Sequence, residues 1–276
     1  GFNSIRRRAS RRGWIFLARL WRAAMRRAWV RPRVIPVLSV ASRRLVKTVR
    51  FGDRTYIGDP INTMRIFSEL SADEVMVLDI DAGNVDEEYV RSLAEEAVMP
   101  MAYGGGVRHV NCALRLVGLG VEKIVVTTAL HSDPDFCCEL SREVGVQSVI
   151  GGIDVKTLPD GTHAAWNRSR GRVIDVALGD YCKYAVESGA GELLLNSMDR
   201  DGTRRGPLLD ALEVAARSVD VPIIYCGGVG GREDAHQLVK NGASAVGIGS
   251  VATMLNGPDS VLVSYPFSGR EIGYES

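Results

Sequence analysis

An internal repeat is the feature that most restricts how this chain of 276 residues can fold. Residues 100–108 read PMAYGGGVR and residues 222–230 read PIIYCGGVG, at an offset of 122 residues. Two further matches have offsets of 118 and 115 residues: EVMVLDID at 74–81 with ELLLNSMD at 192–199, and VIPVLSV at 34–40 with VIGGIDV at 149–155. Three similar offsets in chain order indicate one duplication with small changes in loop length.

Each half of the repeat contains four short apolar runs that are typical of buried strands. We place the eight strands near 33–40, 74–79, 98–103, 123–127, 147–154, 192–196, 222–226 and 245–249. Stretches that can form helices lie between most of the strands, and they include 60–72, 86–97, 108–119, 178–189 and 233–241. This alternation of strands and helices predicts a parallel sheet. Eight units in about 243 residues predict a (β/α)8 barrel, which typically needs about 250. A doubly wound sheet is the alternative, but four units plus four close more naturally as a barrel, with half-barrels at about 33–145 and 146–276.

Charge is distributed unevenly along the chain. Residues 1–33 hold eleven Arg and no acid, which leaves 23 basic and 33 acidic residues in the remainder. Arg residues interrupt the apolar positions of this head, so it cannot span a bilayer. We interpret residues 1–32 as an extension, poorly ordered or helical, outside a barrel domain at 33–276. Because no nucleic-acid motif accompanies the basic residues, we expect no nucleic-acid partner.

Cysteine and histidine usage bears on compartment and cofactors. The five Cys form no metal-binding spacing, and the four His are scattered along the chain. Reduced thiols and the lack of a secretory signal favour a cytoplasmic protein. We therefore expect neither a metal nor a redox cofactor.

The carboxyl ends of the strands form the active site in barrels of this kind. The repeat makes Ser39, near the end of the first strand, equivalent to Asp154 in the fifth, so the two should face each other across the barrel. Asp154 is the acid–base candidate, because partial loss of water raises the pKa of a carboxylate. Ser39 cannot serve as a carboxylate base, and no base that could activate it as a nucleophile is evident nearby in the sequence.

Two further catalytic candidates lie in loops of the same face. Lys47 follows the first strand in a basic loop that could close on an anionic ligand; the alternative is a solvated lysine. Asp201, in NSMDRDGTRRG at 196–206, could accept a proton or bind a ligand hydroxyl. The alternative is an Asp-Gly turn whose side chains satisfy themselves.

Glycines and hydroxyl residues follow the third and fourth strands of both halves, and Gly202 lies in the loop after the sixth strand. Glycine lets a backbone approach an anion closely, and N–H groups at a helix start bind phosphate. The pattern therefore predicts two phosphate sites on opposite sides of the mouth, which one ligand with a phosphate at each end would bridge. The residues concerned are Gly105, Gly106, Thr127, Thr128, Gly202, Gly227, Gly228, Gly249 and Ser250. Tight turns alone would also explain one such site, but less readily a pair at a fixed offset.

A set of motifs over residues 33 to about 252 resembles a known family. IPVLSV, LVKT, GDP (58–60), GGGVR, KIVVTTA, GIDVK, GAGELLLNSMDRDGT and IIYCGGVG look like the cyclase subunit of imidazole glycerol phosphate synthase. The DRDGT loop preceded by Ser-Met is more similar to the cyclase than to the isomerase of the same pathway. The resemblance implies an ammonia-using synthase or lyase subunit.

The resemblance also implies a glutaminase partner at the bottom of the barrel. In the family, ammonia from the glutaminase enters through a gate of four charged residues and travels to a bis-phosphorylated ribonucleotide at the top. Matched motif by motif, the gate falls on Arg33, Glu74, Lys123 and Glu192, each at the start of a strand. A ring of stabilising salt bridges is the alternative reading, since charges at a barrel's lower face usually serve stability.

The chain departs from the family's pattern at the top. Ser39 stands where the cyclase has the first of two aspartates, Thr127 where it usually has Asn, and Asn196 where it usually has Thr. A branch that lacks the first aspartate, and carries a segment like VLVSYP at 261–266, resembles the chain more closely. The branch accompanies a glutaminase and an amidotransferase that amidates acetamido-sugars of surface polysaccharides such as O-antigen.

Three functions remain open from the sequence. The first is ammonia relay to a phosphorylated or nucleotide-linked acceptor in the sugar-amidation branch. The second is an authentic cyclase of histidine biosynthesis, forming imidazole glycerol phosphate and AICAR. The third is a non-catalytic barrel that binds a phosphorylated ligand and regulates its glutaminase.

Overall fold

The repeat folds into a closed barrel. The computed structural model of the chain describes residues 31–254 and 260–273, and within these ranges it contains a 12-stranded sheet. The strands are β1 (Arg33–Ala41), β2 (Arg44–Thr48), β3 (Arg54–Gly58), β4 (Val75–Asp79), β5 (Met101–Gly104), β6 (Lys123–Val126), β7 (Val149–Thr157), β8 (His163–Asn167), β9 (Arg172–Ala177), β10 (Glu192–Ser197), β11 (Ile223–Cys226) and β12 (Ala245–Ile248). The extension predicted for residues 1–32 lies outside the described residues, apart from Arg31 and Pro32.

Eight parallel strands form the barrel wall, in the order β10-β11-β12-β1-β4-β5-β6-β7, and pairing of β7 with β10 closes it. Each predicted strand is present, and most ends agree within one to three residues. The (β/α)8 prediction is therefore confirmed. Strands β1 and β7 are four places apart in this closed order, so they lie on opposite sides of the barrel, as do β5 and β11, and β6 and β12.

Helices surround the wall. They are α1 (Pro60–Glu69), α2 (Glu87–Glu96), α3 (Val110–Gly118), α4 (Thr128–Ser132), α5 (Pro134–Val144), α6 (Leu178–Glu187), α7 (Leu209–Ser218), α8 (Arg232–Lys240), α9 (Ser250–Thr253) and α10 (Gly269–Ile272). The side chains of Asp59, Asp86 and Asp133 cap α1, α2 and α5 by accepting backbone N–H bonds, and proline begins α1 and α5. Within the described ranges, no helix combines the length and apolarity that crossing a membrane requires.

Two hairpins extend the wall above the barrel rim and were not predicted. β2 and β3 continue antiparallel from β1, and β8 and β9 continue antiparallel from β7. The two hairpins are equivalent in the repeat, and they follow the two nine-residue strands. Their sequences were read as loops because exposed, charged residues interrupt the apolar alternation that marks a strand.

The second half-barrel ends differently from the first. The first half-barrel ends in α4 and α5, of five and 11 residues, whereas α9, the repeat equivalent of α4, has four. After α9 the described residues 260–268, which we name the C-terminal strap, run beside the helix. Leu262 donates its N–H to Thr253 O at 3.1 Å and Ser264 donates to Ala252 O at 2.8 Å. The strap leads into α10 and buries Phe267 in the core.

Candidate functional site

The carboxyl ends of the barrel strands surround a large cavity. Its volume is about 1210 Å³, which exceeds the roughly 300–1,000 Å³ of most ligand pockets. All thirteen residues predicted for this face line the cavity: Ser39, Lys47, Gly105, Gly106, Thr127, Thr128, Asp154, Asp201, Gly202, Gly227, Gly228, Gly249 and Ser250. The repeat therefore brings the predicted mouth residues together, although strand register alone does not assign their roles.

Asp154 is the buried carboxylate of this cavity. Its residue exposure is 7%, Asn196 Nδ2 donates to its Oδ1 at 3.3 Å, and Arg168 Nε lies 3.8 Å from its Oδ2. Burial raises the pKa of Asp154 to about 6, although Arg168 and Asn196 pull the pKa downward; the charge of Asp201 adds to the rise. A carboxyl group with such a pKa can exchange a proton near neutral pH.

Ser39 lies on the opposite strand and carries no comparable chemistry. In the register of the sheet it neighbours Val46 and Leu78, both apolar. No described residue hydrogen-bonds its hydroxyl, and no base contacts it. The cavity therefore has a carboxylate on the second half-barrel and a neutral hydroxyl at the equivalent point of the first.

Asp201 and Lys47 are tied to each other and to the first hairpin. Thr48 Oγ1 donates to Asp201 Oδ2 at 2.6 Å, and Lys47 Nζ lies 3.6 Å from Asp201 Oδ1. Arg50 also donates its backbone N–H to Asp201 O at 2.9 Å. These contacts show that the Asp201 carboxylate is not satisfied within its own turn, and its role as a base or hydroxyl-binding group stays a prediction. Lys47 lies close to Gly249, which follows β12, the strand next to β1. A Cβ added at Gly249 would meet the Lys47 ammonium group at 2.6 Å.

The two glycine sites have the same backbone conformation. Gly105 and Gly106 have φ of 118° and 71°, and their repeat equivalents Gly227 and Gly228 have φ of 106° and 85°. Side chains rarely adopt this left-handed region, so both turns require glycine. We name the set Gly105, Gly106, Thr127 and Thr128 site A, and the set Gly202, Gly227, Gly228, Gly249 and Ser250 site B. Because their strands are four places apart, the two sites lie across the mouth from each other.

Sequence reasoning missed several residues that line the cavity, among them Arg168, Trp166 and Phe51. Arg168, at the tip of the second hairpin, places its guanidinium 4.7 Å from the ring centroid of Phe51 in the first. Trp166 also lines the cavity, and Lys156 Nζ lies 4.5 Å from its ring centroid. No sequence signal marked these residues, because the sequences of both hairpins were read as loops.

The four residues predicted as a gate form a closed ring at the opposite end of the barrel. Arg33 donates to both Glu74 and Glu192. Lys123 Nζ lies 3.3 Å from Glu74 Oε1 and 2.9 Å from Glu192 Oε2. Burial lowers the pKa of the Arg33 guanidinium, but attraction to Glu192 and Glu74 outweighs it and the pKa is raised. Each cation thus contacts both buried carboxylates.

An apolar column separates this ring from the mouth. Inward-facing side chains form their own cluster, distinct from the larger core between wall and helices: Ile35, Val37, Met76, Ala102, Val125, Ile150, Leu194, Ile224, Cys226 and Ala245. A lining without charges does not hold ions, but a small neutral molecule loses little by entering it. Within residues 31–254 and 260–273, no three His, Cys, Asp or Glu side chains are grouped so that they could hold a metal ion.

Fold and site together define a (β/α)8 barrel with a glycine-lined cavity at one end and a ring of ion pairs at the other. A family model described as "Histidine biosynthesis protein" matches residues 33–254, so the chain belongs to the histidine biosynthesis protein family. A protein of Leptospira interrogans named "Putative imidazole glycerol phosphate synthase subunit HisF" is 38% identical over 243 residues, covering 86% of this chain and 96% of the relative.

Other relatives carry similar names. A Pseudomonas aeruginosa protein named "Putative imidazole glycerol phosphate synthase subunit hisF2" is 38% identical over 242 residues, covering 86% of this chain and 96% of the relative. "Imidazole glycerol phosphate synthase subunit HisF" of Streptomyces griseus is 35% identical over 223 residues, covering 79% of this chain and 89% of the relative. The chain is thus similar to HisF subunits along nearly the whole barrel.

Proposed function

We propose that the barrel receives ammonia from a glutaminase subunit at its lower face and delivers it through its core to a ligand in the mouth. The acceptor is a phosphorylated or nucleotide-linked compound of the acetamido-sugar amidation branch, and a sugar amidotransferase performs the final chemistry. The names of the relatives support an assembly of this kind, because each is called a subunit of a synthase.

The single observation that carries the proposal is the ring together with the column above it. Arg33, Glu74, Lys123 and Glu192 close the lower end, and the column contains only apolar side chains and one thiol. Ammonia is neutral and small, whereas ammonium would lose its hydration in such a lining. Opening one ion pair of the ring would admit ammonia from below while the rest of the ring holds the strands.

The mouth supports a ligand with two anionic groups. Sites A and B lie on opposite sides of the cavity, and Lys47 adds a positive charge beside site B. Backbone N–H groups at left-handed glycine turns bind phosphate. A ligand with phosphates at both ends, or a nucleotide-linked sugar with a diphosphate, therefore fits the spacing of charges better than a neutral metabolite.

Ser39 is the reason to assign the final chemistry to another protein. A cyclisation that uses a carboxyl group on each side of its ligand would find Asp154 but no partner acid on β1. A second candidate, the authentic cyclase, is supported by the raised pKa of Asp154, which suits one acid–base group working alone. The third candidate is a non-catalytic regulator of the glutaminase. It would bind a phosphorylated ligand without forming a product.

Free ammonia separates these candidates, because it removes the need for a glutaminase. The full chain is supplied with the bis-phosphorylated ribonucleotide and excess ammonium salt at mildly alkaline pH, and imidazole glycerol phosphate is measured. We expect no turnover in the wild type and turnover in Ser39→Asp, with Ser39→Asn as the uncharged control. Wild-type turnover near that of an ordinary cyclase would overturn the relay.

If Ser39→Asp is also inactive, the third protein becomes the test. The barrel, its glutaminase and the sugar amidotransferase are then combined with glutamine and an acetamido-sugar nucleotide. Amidated sugar that depends on the barrel supports the relay. Ligand binding with faster glutamine hydrolysis but no amidated product would instead identify a regulator.

A further inference from the structure

The C-terminal strap meets the bottom of the barrel at one carboxylate. Asp73 Oδ2 accepts hydrogen bonds from Val34 N at 2.9 Å, from Tyr265 Oη at 2.9 Å and from Gly269 N at 2.7 Å. Tyr265 Oη also lies 3.0 Å from Val34 O, and Asp73 N donates to Tyr265 Oη at 3.2 Å. We name these four residues the Asp73 junction. It joins the start of β1, the start of β4 and the strap.

The junction lies directly beside half of the charged ring. Val34 follows Arg33 in the chain, and Asp73 precedes Glu74. Tyr265 contacts both Val34 and Asp73, so it touches the neighbour of each partner in the Arg33–Glu74 ion pair. A side chain is aimed by its own backbone, and displacement of about 1 Å is enough to break a hydrogen-bonded ion pair. The Tyr265 hydroxyl is therefore placed to hold this pair together.

Among residues 31–254 and 260–273, the other half of the ring has no equivalent of the Asp73 carboxylate. Gly191 precedes Glu192, at the position that the repeat pairs with Asp73. Its N–H donates to Val149 O at 3.0 Å, and a Cβ there would collide with Val146 O, so close backbone packing fixes that strand. The residue before Glu74 is thus held through its side chain and by Tyr265 of the strap, and the residue before Glu192 through its backbone.

The strap is itself firmly attached. Phe267 and Ile272 are 3% and 0% exposed. Ser268 begins α10 with a capping box to Glu271, and Arg232 donates to Glu271 O at 2.8 Å from its guanidinium. A Cβ at Gly269 would collide with Pro32 O, which leaves no slack between the strap and the start of β1.

We propose that Tyr265 is a positioning residue for the Arg33–Glu74 side of the ring, and that the strap, through the Asp73 junction, sets the side on which the ring opens. The positioning is a property of the fold, whereas its consequence for ammonia rests on the proposed function. Loss of the Tyr265 hydroxyl should loosen the Arg33–Glu74 pair and leave the Lys123–Glu192 pair in place.

Side-chain hydrogen exchange tests the positioning directly. In Tyr265→Phe, NMR of the Arg33 guanidinium should show N–H exchange with water at least about tenfold faster than in the wild type. The backbone amide of Leu194 in β10 should exchange at the wild-type rate, because global loosening is not expected. Tyr184→Phe, on helix α6, is the matched control and should change neither rate. An unchanged Arg33 exchange rate in Tyr265→Phe would overturn the proposal.

A double-mutant cycle tests the same coupling without NMR. The shift in denaturation midpoint caused by Tyr265→Phe is measured in three backgrounds: the wild type, Glu74→Gln and Glu192→Gln. We expect the shift caused by Tyr265→Phe to fall by half or more in the Glu74→Gln background and to keep its wild-type size with Glu192→Gln. Equal shifts in all three backgrounds contradict the positioning role. Should a glutamate variant not fold, the exchange rates decide.

Turnover separates the positioning from the proposed function. In the assay with the glutaminase, the sugar amidotransferase and an acetamido-sugar nucleotide, Tyr265→Phe should lower glutamine-driven amidation several-fold and leave amidation from free ammonium unchanged. If the wild type transfers nothing under either condition, the proposed function fails, while the exchange rates still decide the role of Tyr265. If both rates fall equally, the strap supports the mouth rather than the ring, and the proposal is wrong.

Discussion

The first half-barrel carries Ser39 near the end of β1, with apolar neighbours and no hydrogen bond to its hydroxyl among the described residues. The second carries Asp154 at the equivalent point of β7, buried and held by Asn196 and Arg168. The glycine turns, the hairpins and the ring glutamates are present in both halves. The features that repeat depend on backbone conformation and strand register, whereas at this pair of strand ends only the side chain differs.

This contrast shows how a duplicated barrel divides its work. Left-handed glycine turns and paired strands are needed by the fold itself, so altering them in one half would cost stability. A side chain at a strand end faces an open cavity and can change at little structural cost. A strand-end side chain can therefore change in one half while the scaffold, and the glycine turns built into it, remain twofold.

Removal of one ring carboxylate should have the largest effect on stability. Glu74→Gln or Glu192→Gln leaves two cations facing one buried carboxylate, and breaking a buried ion network in this way costs about 3–5 kcal/mol. Denaturant unfolding of both variants measures it. Because Arg33 and Lys123 contact both glutamates, the two losses should be similar, and the halves should not differ here.

Glu96→Gln is the control for a surface ion pair. Its partner Arg65 is exposed, so the expected loss of stability is below about 1 kcal/mol. A ring variant that loses no more than this control would mean that water already screens the ring. A large difference between the two ring variants would mean that the halves share the ring unequally.

Asp154 should make stability depend on pH in a way that the first half does not. Its pKa in the folded protein is about 6, above the roughly 3.9 of an unfolded aspartate. The folded state thus holds its proton more tightly, so its contribution to stability is full below about pH 4 and is lost as pH rises through about 6. The loss over this range is about 3 kcal/mol.

Asp154→Asn isolates this titration. Measured by denaturant unfolding from about pH 4 to pH 7, the variant should gain on the wild type as pH rises, because its amide does not ionise. Ser39→Asn is the matched control in the first half, and its difference from the wild type should be flat over the same range. A flat difference for Asp154→Asn would mean that water reaches the carboxylate.

The sequence predicted the parts of the molecule that depend on period and repetition. Eight buried strands, their order and the gathering of Ser39, Lys47 and Asp154 around one cavity follow from apolar runs and from the rule that parallel strands end on one face. The ring could be placed as well, because each member lies at or next to the first residue of a strand. The sequence therefore predicted where these residues lie in the barrel.

Contacts of the hairpin tips could not be predicted. Arg168 reaches Asp154 and Phe51 from a turn whose place depends on strand twist and hairpin length, neither of which leaves an apolar pattern. The partner of Asp201 was similarly hidden, because its bond to Thr48 joins residues 153 positions apart. Contacts between side chains across a cavity depend on tertiary structure, and local sequence propensity does not predict them.

Alanine at a repeated glycine should have a smaller effect that is equal in the two halves. In Gly105→Ala the added Cβ would collide with Asp79 O, and in Gly227→Ala it would meet Ser197 O at 2.6 Å. The left-handed backbone adds strain, so each should lose about 1–3 kcal/mol, together with phosphate binding at its own site. Thermal unfolding and titration with inorganic phosphate measure both.

Gly231→Ala is the control for this pair. Gly231 has an extended backbone, and no atom lies within 4 Å of an added Cβ. It should unfold at the wild-type temperature and bind phosphate normally. Loss of phosphate binding in only one of the two repeat variants would break the symmetry of sites A and B, and it would leave the ligand anchored on one half-barrel.

The anchors of the two hairpins should give the smallest effect. Thr48→Val removes the hydroxyl that donates to buried Asp201 in the first hairpin, and such a loss costs about 1 kcal/mol. Thr162→Val in the second hairpin removes a similar bond to Asp160, but that pair is exposed and water replaces it. Limited proteolysis at the turn of residues 49–53 should therefore quicken in Thr48→Val and stay unchanged in Thr162→Val. Equal cleavage in both variants would mean that the Asp201 loop does not hold the first hairpin over the mouth, and that Lys47 reaches site B by its own strand alone.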